Sequence, residues 1–346
     1  MGIVDVFKKK AIGRIPMKVC MMGPRAVGKT TILTAVFTDT QENIGSTTNL
    51  LLQAQGETSA ELTNRKRQLL AIFREHAQIT DKPAAGLSAS STINTFDFLF
   101  GLKGKEPRIE LEIKDFPGEF VQKRPDDVQQ FIRESTAVFV AIDTPHLMEE
   151  NGAFCLAKNR PDIITDFFLN NLKELKDEKL VLFVPLKCER YFSDNRMNEV
   201  LDRVEIVYSD LISALKDSKK IACAITPIMT LGDVEFSHIK KNNDTIPVNI
   251  AGCPEEVVYR FKNSTPHYKP AFCVQPLYYM LSFLASKYSR DKNKRGIIDR
   301  IFSSIYNLFD SDESLLDEIL KMEKFRKVNL PGYKIVCGSE LFHYCK

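Results

Sequence analysis

The chain has 346 residues, with 48 Lys+Arg against 45 Asp+Glu, a formal net charge of +3, and a composition that is 44% hydrophobic, 10% aromatic and 27% charged. These values exclude a wholly disordered chain, which would hold too few apolar residues to offset its conformational entropy. The near-neutral charge gives no global reason to expect nucleic acid, and the length allows one large domain or two small ones.

No apolar run approaches the roughly 20 residues of a membrane-spanning helix, so a cytoplasmic protein is expected. The opening MGIVDVFKKKAIGRIP lacks the order of a secretion signal: its charges follow the short apolar stretch and no apolar core comes next. Gly2 invites a myristoylation reading, but Val6 stands where Ser or Thr is wanted. A lead-in segment packed on the domain is expected, and a basic helix on a membrane surface is the alternative. The 8 cysteines are scattered, several within apolar runs, and no CxxC pair occurs. That pattern predicts reduced, buried thiols. Cys337, His343 and Cys345 gather near the C-terminus but fit no strong zinc spacing.

In chain order, MKVCMM (17–22) predicts a buried strand, followed by a Gly-containing loop and a helix over 29–37. Apolar residues between charges predict an amphipathic helix over 62–79, and DKPAAGLSASS (81–91) predicts a loop. Two alternating stretches, 93–100 and 108–114, predict an antiparallel hairpin. Helices then alternate with strands: helix 125–134, strand 137–142, helix 162–175, strand 180–185, helix 197–215 and strand 220–225. Beyond Pro227 come short β-like runs, VEFSHI and EVVYRF, and helices over 275–287, 296–309 and 313–325. The expected fold is α/β: three layers around a mainly parallel sheet with one antiparallel hairpin. One domain is expected over 1–292, with an insertion at about 40–91. A C-terminal helical extension, packed on or beside that domain, is expected over 293–346.

The strongest motif is Gly23-Pro24-Arg25-Ala26-Val27-Gly28-Lys29-Thr30, which matches G-x-x-x-x-G-K-[ST] between a predicted strand and a predicted helix. Such a loop aims backbone N–H groups at phosphate oxygens, and the helix N-terminus adds partial positive charge. Lys29 would neutralise the terminal phosphates, and Thr30 would offer a hydroxyl to Mg²⁺. Thr31 follows in the first helical turn. A second motif, Asp115-Phe-Pro-Gly118, fits D-x-x-G at the end of the hairpin. There Asp115 would reach the Mg²⁺ sphere and the Gly118 N–H the terminal phosphate.

Together these motifs resemble the P-loop GTPases of the TRAFAC class, with a Ras-like core. The resemblance implies a Mg²⁺-coordinating Thr just before the hairpin. Thr92 stands at a suitable place, and Ser91 and Thr95 are neighbouring candidates. It also implies a base-reading N-K-x-D or T-K-x-D motif. The segment PLKCE supplies Lys187 and puts Glu189 in the Asp position, while Leu186 replaces the Asn or Thr. Glu keeps the acceptor carboxylate but adds a methylene, so guanine is implied with altered geometry. The last family loop falls at ITPIMTLG, where Thr226 and Ile228 would offer backbone groups to the base.

Two residues bear on rate. Glu119 stands where Ras-type chains carry the water-orienting Gln, and Arg25 lies within the P-loop, able to swing over the phosphates. More narrowly, GPRAVGKTT, DFPGEF, PLKCE and QPLYYMLSFL resemble bacterial double-GTPases of the conflict-system type. That likeness implies a switch that binds GTP/GDP and signals to a partner protein. Arg65, Lys66, Arg67 and Arg74 could meet an acidic partner or form a solvated face. A nucleotide-binding scaffold with little hydrolysis, and a P-loop ATPase, stay open as alternatives.

Overall fold

The computed structural model describes residues 14–41, 50–75, 79–80, 93–117, 125–172, 175–290 and 331–342. β1 (Ile15–Met22) alternates its side chains between two cores: Met17, Val19 and Met21 enter one, Cys20 and Met22 the other. The same alternation divides β6 (Ala137–Asp143), β7 (Lys179–Leu186) and β8 (Ile221–Ile225). Every residue of these three strands is buried, which is the signature of parallel strands covered on both faces.

The main sheet has eight strands in the order β11-β8-β7-β6-β1-β5-β4-β2. β5 (Ile109–Asp115), β1, β6, β7 and β8 run parallel. β4 (Asn94–Leu102) forms the expected antiparallel hairpin with β5. Two further strands pair antiparallel at the edges: β2 (Leu50–Ala54) on β4, and β11 (Lys334–Cys337) on β8.

One face of the sheet is covered by α1 (Lys29–Asp39) and by the long helix Val274–Arg290. The insertion helix α2 (Gly56–Glu75) also reaches this core through Leu62. The other face is covered by α3 (Pro125–Glu134) with Val128, Phe131 and Ile132, and by the helix Pro161–Leu172 with Ile164, Phe167 and Phe168. The expected helix 197–215 is two helices there, Met197–Val207 and Ser209–Lys216. The backbone leaves the helical region at Tyr208 (φ −105°, ψ 22°), whose ring is buried 5.2 Å from that of Phe183.

A second sheet has the order β3-β10-β9. β3 (Ile79–Thr80) pairs antiparallel with β10 (Val257–Phe261), which pairs with β9 (Val234–Ile239). Its core holds Val234, Phe236, Ile239, Val257 and Tyr259, with Phe73 of α2. Near the C-terminus, residues 331–342 add β11 and a turn of 3-10 helix, whose Leu341 and Phe342 enter the first core. The expected helices over 296–309 and 313–325, the opening segment, and His343 and Cys345 lie outside the described residues. Among the described residues no helix is long and apolar enough to cross a membrane.

Candidate functional site

β1 delivers the chain to the loop of residues 23–28 at the carboxyl end of the sheet, beside β6. Gly23 has φ +143°, and a Cβ there would lie 2.7 Å from the Ala141 oxygen of β6. Only glycine lets the loop seat this closely. Ala26 (φ 59°) and Gly28 (φ 105°) also take positive φ, so the loop curls before α1 begins. Gly28 caps α1 without a side-chain hydrogen bond, and the first turn holds no acidic residue. The helix therefore brings uncapped N–H groups and its partial positive end to the loop, an arrangement suited to an anion. Arg25 and Ala26 are exposed on the loop, Pro24 and Val27 are buried, and Thr31 is half-buried.

Lys29 is buried, and its Nζ donates to the carbonyl oxygens of Gly23 and Pro24, both at 3.1 Å. It also lies 3.8 Å from Asp115 Oδ1. The β1–β5 register pairs Met21 with Asp115, which sets the carboxylate beside the P-loop. Thr30 Oγ1 donates to Asp115 Oδ2 at 2.9 Å. Asp115 Oδ1 is buried with no hydrogen-bond partner among the described residues. Burial pushes this carboxyl above its usual range, opposed by the Lys29 ammonium and the Thr30 hydroxyl.

Asp115 and Thr30 are hard oxygen donors, the kind that Mg²⁺ takes in small number beside phosphate and water. Oδ1, which has no hydrogen bond among the described residues, makes the pair a fit for that ion. Among the described residues no group of three or more His, Cys, Asp or Glu could hold a metal by itself. Thr92, Ser91, Gly118 and Glu119 lie outside the described residues. Thr95 is exposed on β4.

The region after β7 is built differently. Lys187 (φ 58°) follows β7, and its Nζ pairs with Asp143 Oδ2 at 2.7 Å. That Nζ also lies 5.5 Å from the Tyr259 ring centroid. Asp143 is fully buried at the end of β6 and accepts from His146 Nδ1 at 2.6 Å and from the His146 backbone N–H at 3.3 Å. Burial alone would raise this carboxyl, but Lys187 and His146 outweigh it and hold it well below the usual carboxylate range. Glu189 opens the short helix Glu189–Ser193, and its buried Oε1 accepts from the Leu231 N–H at 3.1 Å. Burial pushes the Glu189 carboxyl up, opposed by that N–H. The backbone N–H groups of Thr226 and Ile228 donate to the carbonyls of Phe183 and Pro185. Leu186 is part of the core.

The fold therefore gathers Lys29, Thr30 and Asp115 into one constellation, whereas Lys187, Glu189 and Thr226 each bond to a different partner, Asp143, Leu231 and Phe183. Sequence reasoning missed Asp143 and Tyr259. The signal for Asp143 was an otherwise apolar strand, AVFVAID, ending on a carboxylate.

No family model matches the chain, and no curated protein matches it. Among solved structures it is similar to the GTPase-like domain of S. cerevisiae Ski7 bound to GDP and inorganic phosphate, at 14% identity and TM-score 0.39, over 66% of this chain and 46% of that one. It is likewise similar to that domain bound to GTP, at 14% identity and TM-score 0.40, over 73% and 49%. A third likeness is to Era in complex with MgGDPNP and nucleotides 1506-1542 of 16S ribosomal RNA, at 14% identity and TM-score 0.32, over 81% and 69%. The chain spans about half the length of the Ski7 structures. At scores this low the likenesses decide nothing about the site, and its reading rests on the geometry above.

Proposed function

We propose that the chain is a P-loop GTPase that binds GTP with Mg²⁺, hydrolyses it, and changes its affinity for a partner protein with the nucleotide state. The observation that carries the reading is the buried Lys29 and Asp115 with Thr30 beside an uncapped helix N-terminus, Asp115 Oδ1 having no hydrogen-bond partner among the described residues. Buried polar atoms are rarely left so. A triphosphate on the loop would draw Lys29 from the Gly23 and Pro24 carbonyls to phosphate oxygens, a stronger, charge-assisted contact. Loop N–H groups would take the remaining oxygens. Thr30 and Asp115, with Thr92, would hold Mg²⁺, which supplies positive charge to the phosphates when bound. Glu119 would face the attacking water and Arg25 the phosphates. The domain would span 1–292 and take in residues 331–342 as well, since β11 joins the main sheet and Leu341 and Phe342 its core, and the chain would act in the cytoplasm. The narrower likeness to conflict-system GTPases would make the partner another bacterial protein.

A second reading has support from the base end. Lys187 and Glu189 are each engaged by groups of the chain itself, which favours weak base discrimination and leaves ATP as a substrate. Phosphate release from the purified chain with Mg²⁺ and either GTP or ATP tests both readings, with Lys29→Ala as the blank. Turnover of GTP alone supports the first. Turnover of both, or of ATP, supports the second. Binding without turnover makes the chain a nucleotide-dependent scaffold.

A further inference from the structure

The insertion between α1 and the hairpin is tied to the hairpin at one end and to the second sheet at the other. At its start, β2 pairs with β4, the Gln55 N–H donates to Asp97 O at 2.9 Å, and Thr58 Oγ1 accepts from the Asp97 N–H at 2.9 Å. At the far end of α2, Phe73 packs on Phe261 and Tyr268, at ring-centroid distances of 5.6 and 6.0 Å. There β3 joins β10, the strand whose Tyr259 faces Lys187. A 20-residue helix is about 30 Å long. At about 4.8 Å per strand, the four steps from β4 to β7 cover about 19 Å. α2 is therefore long enough to pass across the carboxyl ends of β5, β1 and β6, above the P-loop.

Its inward face is readable from spacing. Thr58, Leu62, Leu69 and Phe73 are the buried residues of α2, and they form one stripe at intervals of three or four when Arg65 is included. Arg65 thus interrupts the buried stripe with a charge. It is seven positions beyond Thr58, about 10 Å along the axis, which brings it level with β5 and β1, where Asp115 and the P-loop lie. The Arg65 side chain is 19% exposed, and its Nε pairs with Glu61 Oε1 at 3.1 Å. Arg65 and Glu61 both lie close enough to Asp115 to act on it electrostatically. Arg25, by contrast, sits exposed on the loop.

We propose that Arg65 is a phosphate-contacting residue supplied by the chain's own α2: with a nucleoside triphosphate on the P-loop, it leaves Glu61 and donates to the terminal phosphate. An i,i+4 ion pair of this kind is weak. A phosphate carries more charge and accepts two guanidinium N–H groups in a fork, so the exchange runs towards the nucleotide. Arg65 then reports the presence of the terminal phosphate to a helix anchored in both sheets. The inference rests on the nucleotide reading above.

The test is titration of the full chain, with Mg²⁺, by a fluorescent non-hydrolysable GTP analogue and by the matching GDP analogue. Arg65→Ala should weaken triphosphate binding at least tenfold and leave diphosphate binding within about twofold, which also reports an intact fold. Arg65→Lys should fall between. Glu61→Gln, which frees Arg65, should tighten triphosphate binding severalfold. Equal losses for both nucleotides, or no loss for either, overturn the assignment of Arg65 while a binding-dead Lys29→Ala keeps the P-loop reading. A wild-type chain that binds neither nucleotide overturns both.

Discussion

The two ends of the proposed nucleotide site hold similar residue types in opposite states. At the phosphate end, Lys29 donates to two neutral carbonyls and stands 3.8 Å from Asp115 without a hydrogen bond to it, and Asp115 Oδ1 has no hydrogen-bond partner among the described residues. At the base end, Asp143 is taken by Lys187 and His146, and Glu189 by the Leu231 N–H. Exchanging a neutral carbonyl for a phosphate gains charge-assisted strength. Taking Lys187 from a buried carboxylate would strand a charge, a far costlier step. The phosphate end is thus arranged for a ligand, whereas the base end is arranged for stability. Affinity should come mainly from phosphates, and base choice should be the weaker discriminator.

The largest expected effect tests the base end as a structural element. Asp143→Ala removes one partner from a buried pair and should cost about 3–5 kcal/mol of folding stability, read by chemical denaturation. Because the folded carboxyl is held below its unfolded value, its stabilisation is present above about pH 4 and lost as pH falls through the depressed folded value. The gap between wild type and variant should therefore narrow in acid. A gap under about 1 kcal/mol at pH 7 would break the comparison, since that is the contribution of a surface pair.

Next comes the phosphate end. Lys29→Ala should cost stability, because it removes the ammonium 3.8 Å from the buried Asp115 carboxylate as well as two contacts to loop carbonyls. It should weaken triphosphate binding about 100-fold, near the upper range for a hydrogen bond to a charged group. Undiminished affinity for a fluorescent triphosphate would sink the P-loop reading. Gly23→Ala is a steric counterpart. Its methyl would meet the Ala141 oxygen at 2.7 Å, and the strained φ adds about 1–3 kcal/mol. Both stability and triphosphate affinity should fall.

Much of this was legible in the sequence because the signals were local. The P-loop motif, the alternating hairpin and the buried strands each fall within about ten residues, and the structure places them within one or two positions of expectation. β2 and β11 were not legible. LLLQA and KIVC are short and lack alternation, and they become strands only because the edges of the sheet, β4 and β8, offer unpaired backbone. The break at Tyr208 was hidden because the apolar periodicity continues through it, Tyr208 itself packing on Phe183 in the core. Lys187 and Glu189 were found by motif, but their partners Asp143 and Leu231 lie more than forty positions away. No spacing rule connects them.

The smallest expected effect is also the most discriminating. Glu189→Gln keeps an oxygen for the Leu231 N–H but removes the charge. Burial raises the Glu189 carboxyl in the folded state, so ionised Glu189 costs stability above its raised value and nothing below about pH 4, where both states are protonated. The variant should be as stable as wild type at pH 7 or more so, by on the order of 1 kcal/mol, and the difference should vanish in acid. If Glu189 also reads guanine, GTP affinity should fall about tenfold, as a charged acceptor becomes neutral, while ATP affinity stays put. A variant that gains stability and keeps its GTP-to-ATP ratio would assign Glu189 to the Leu231 contact alone. The phosphate end would then carry the whole of recognition.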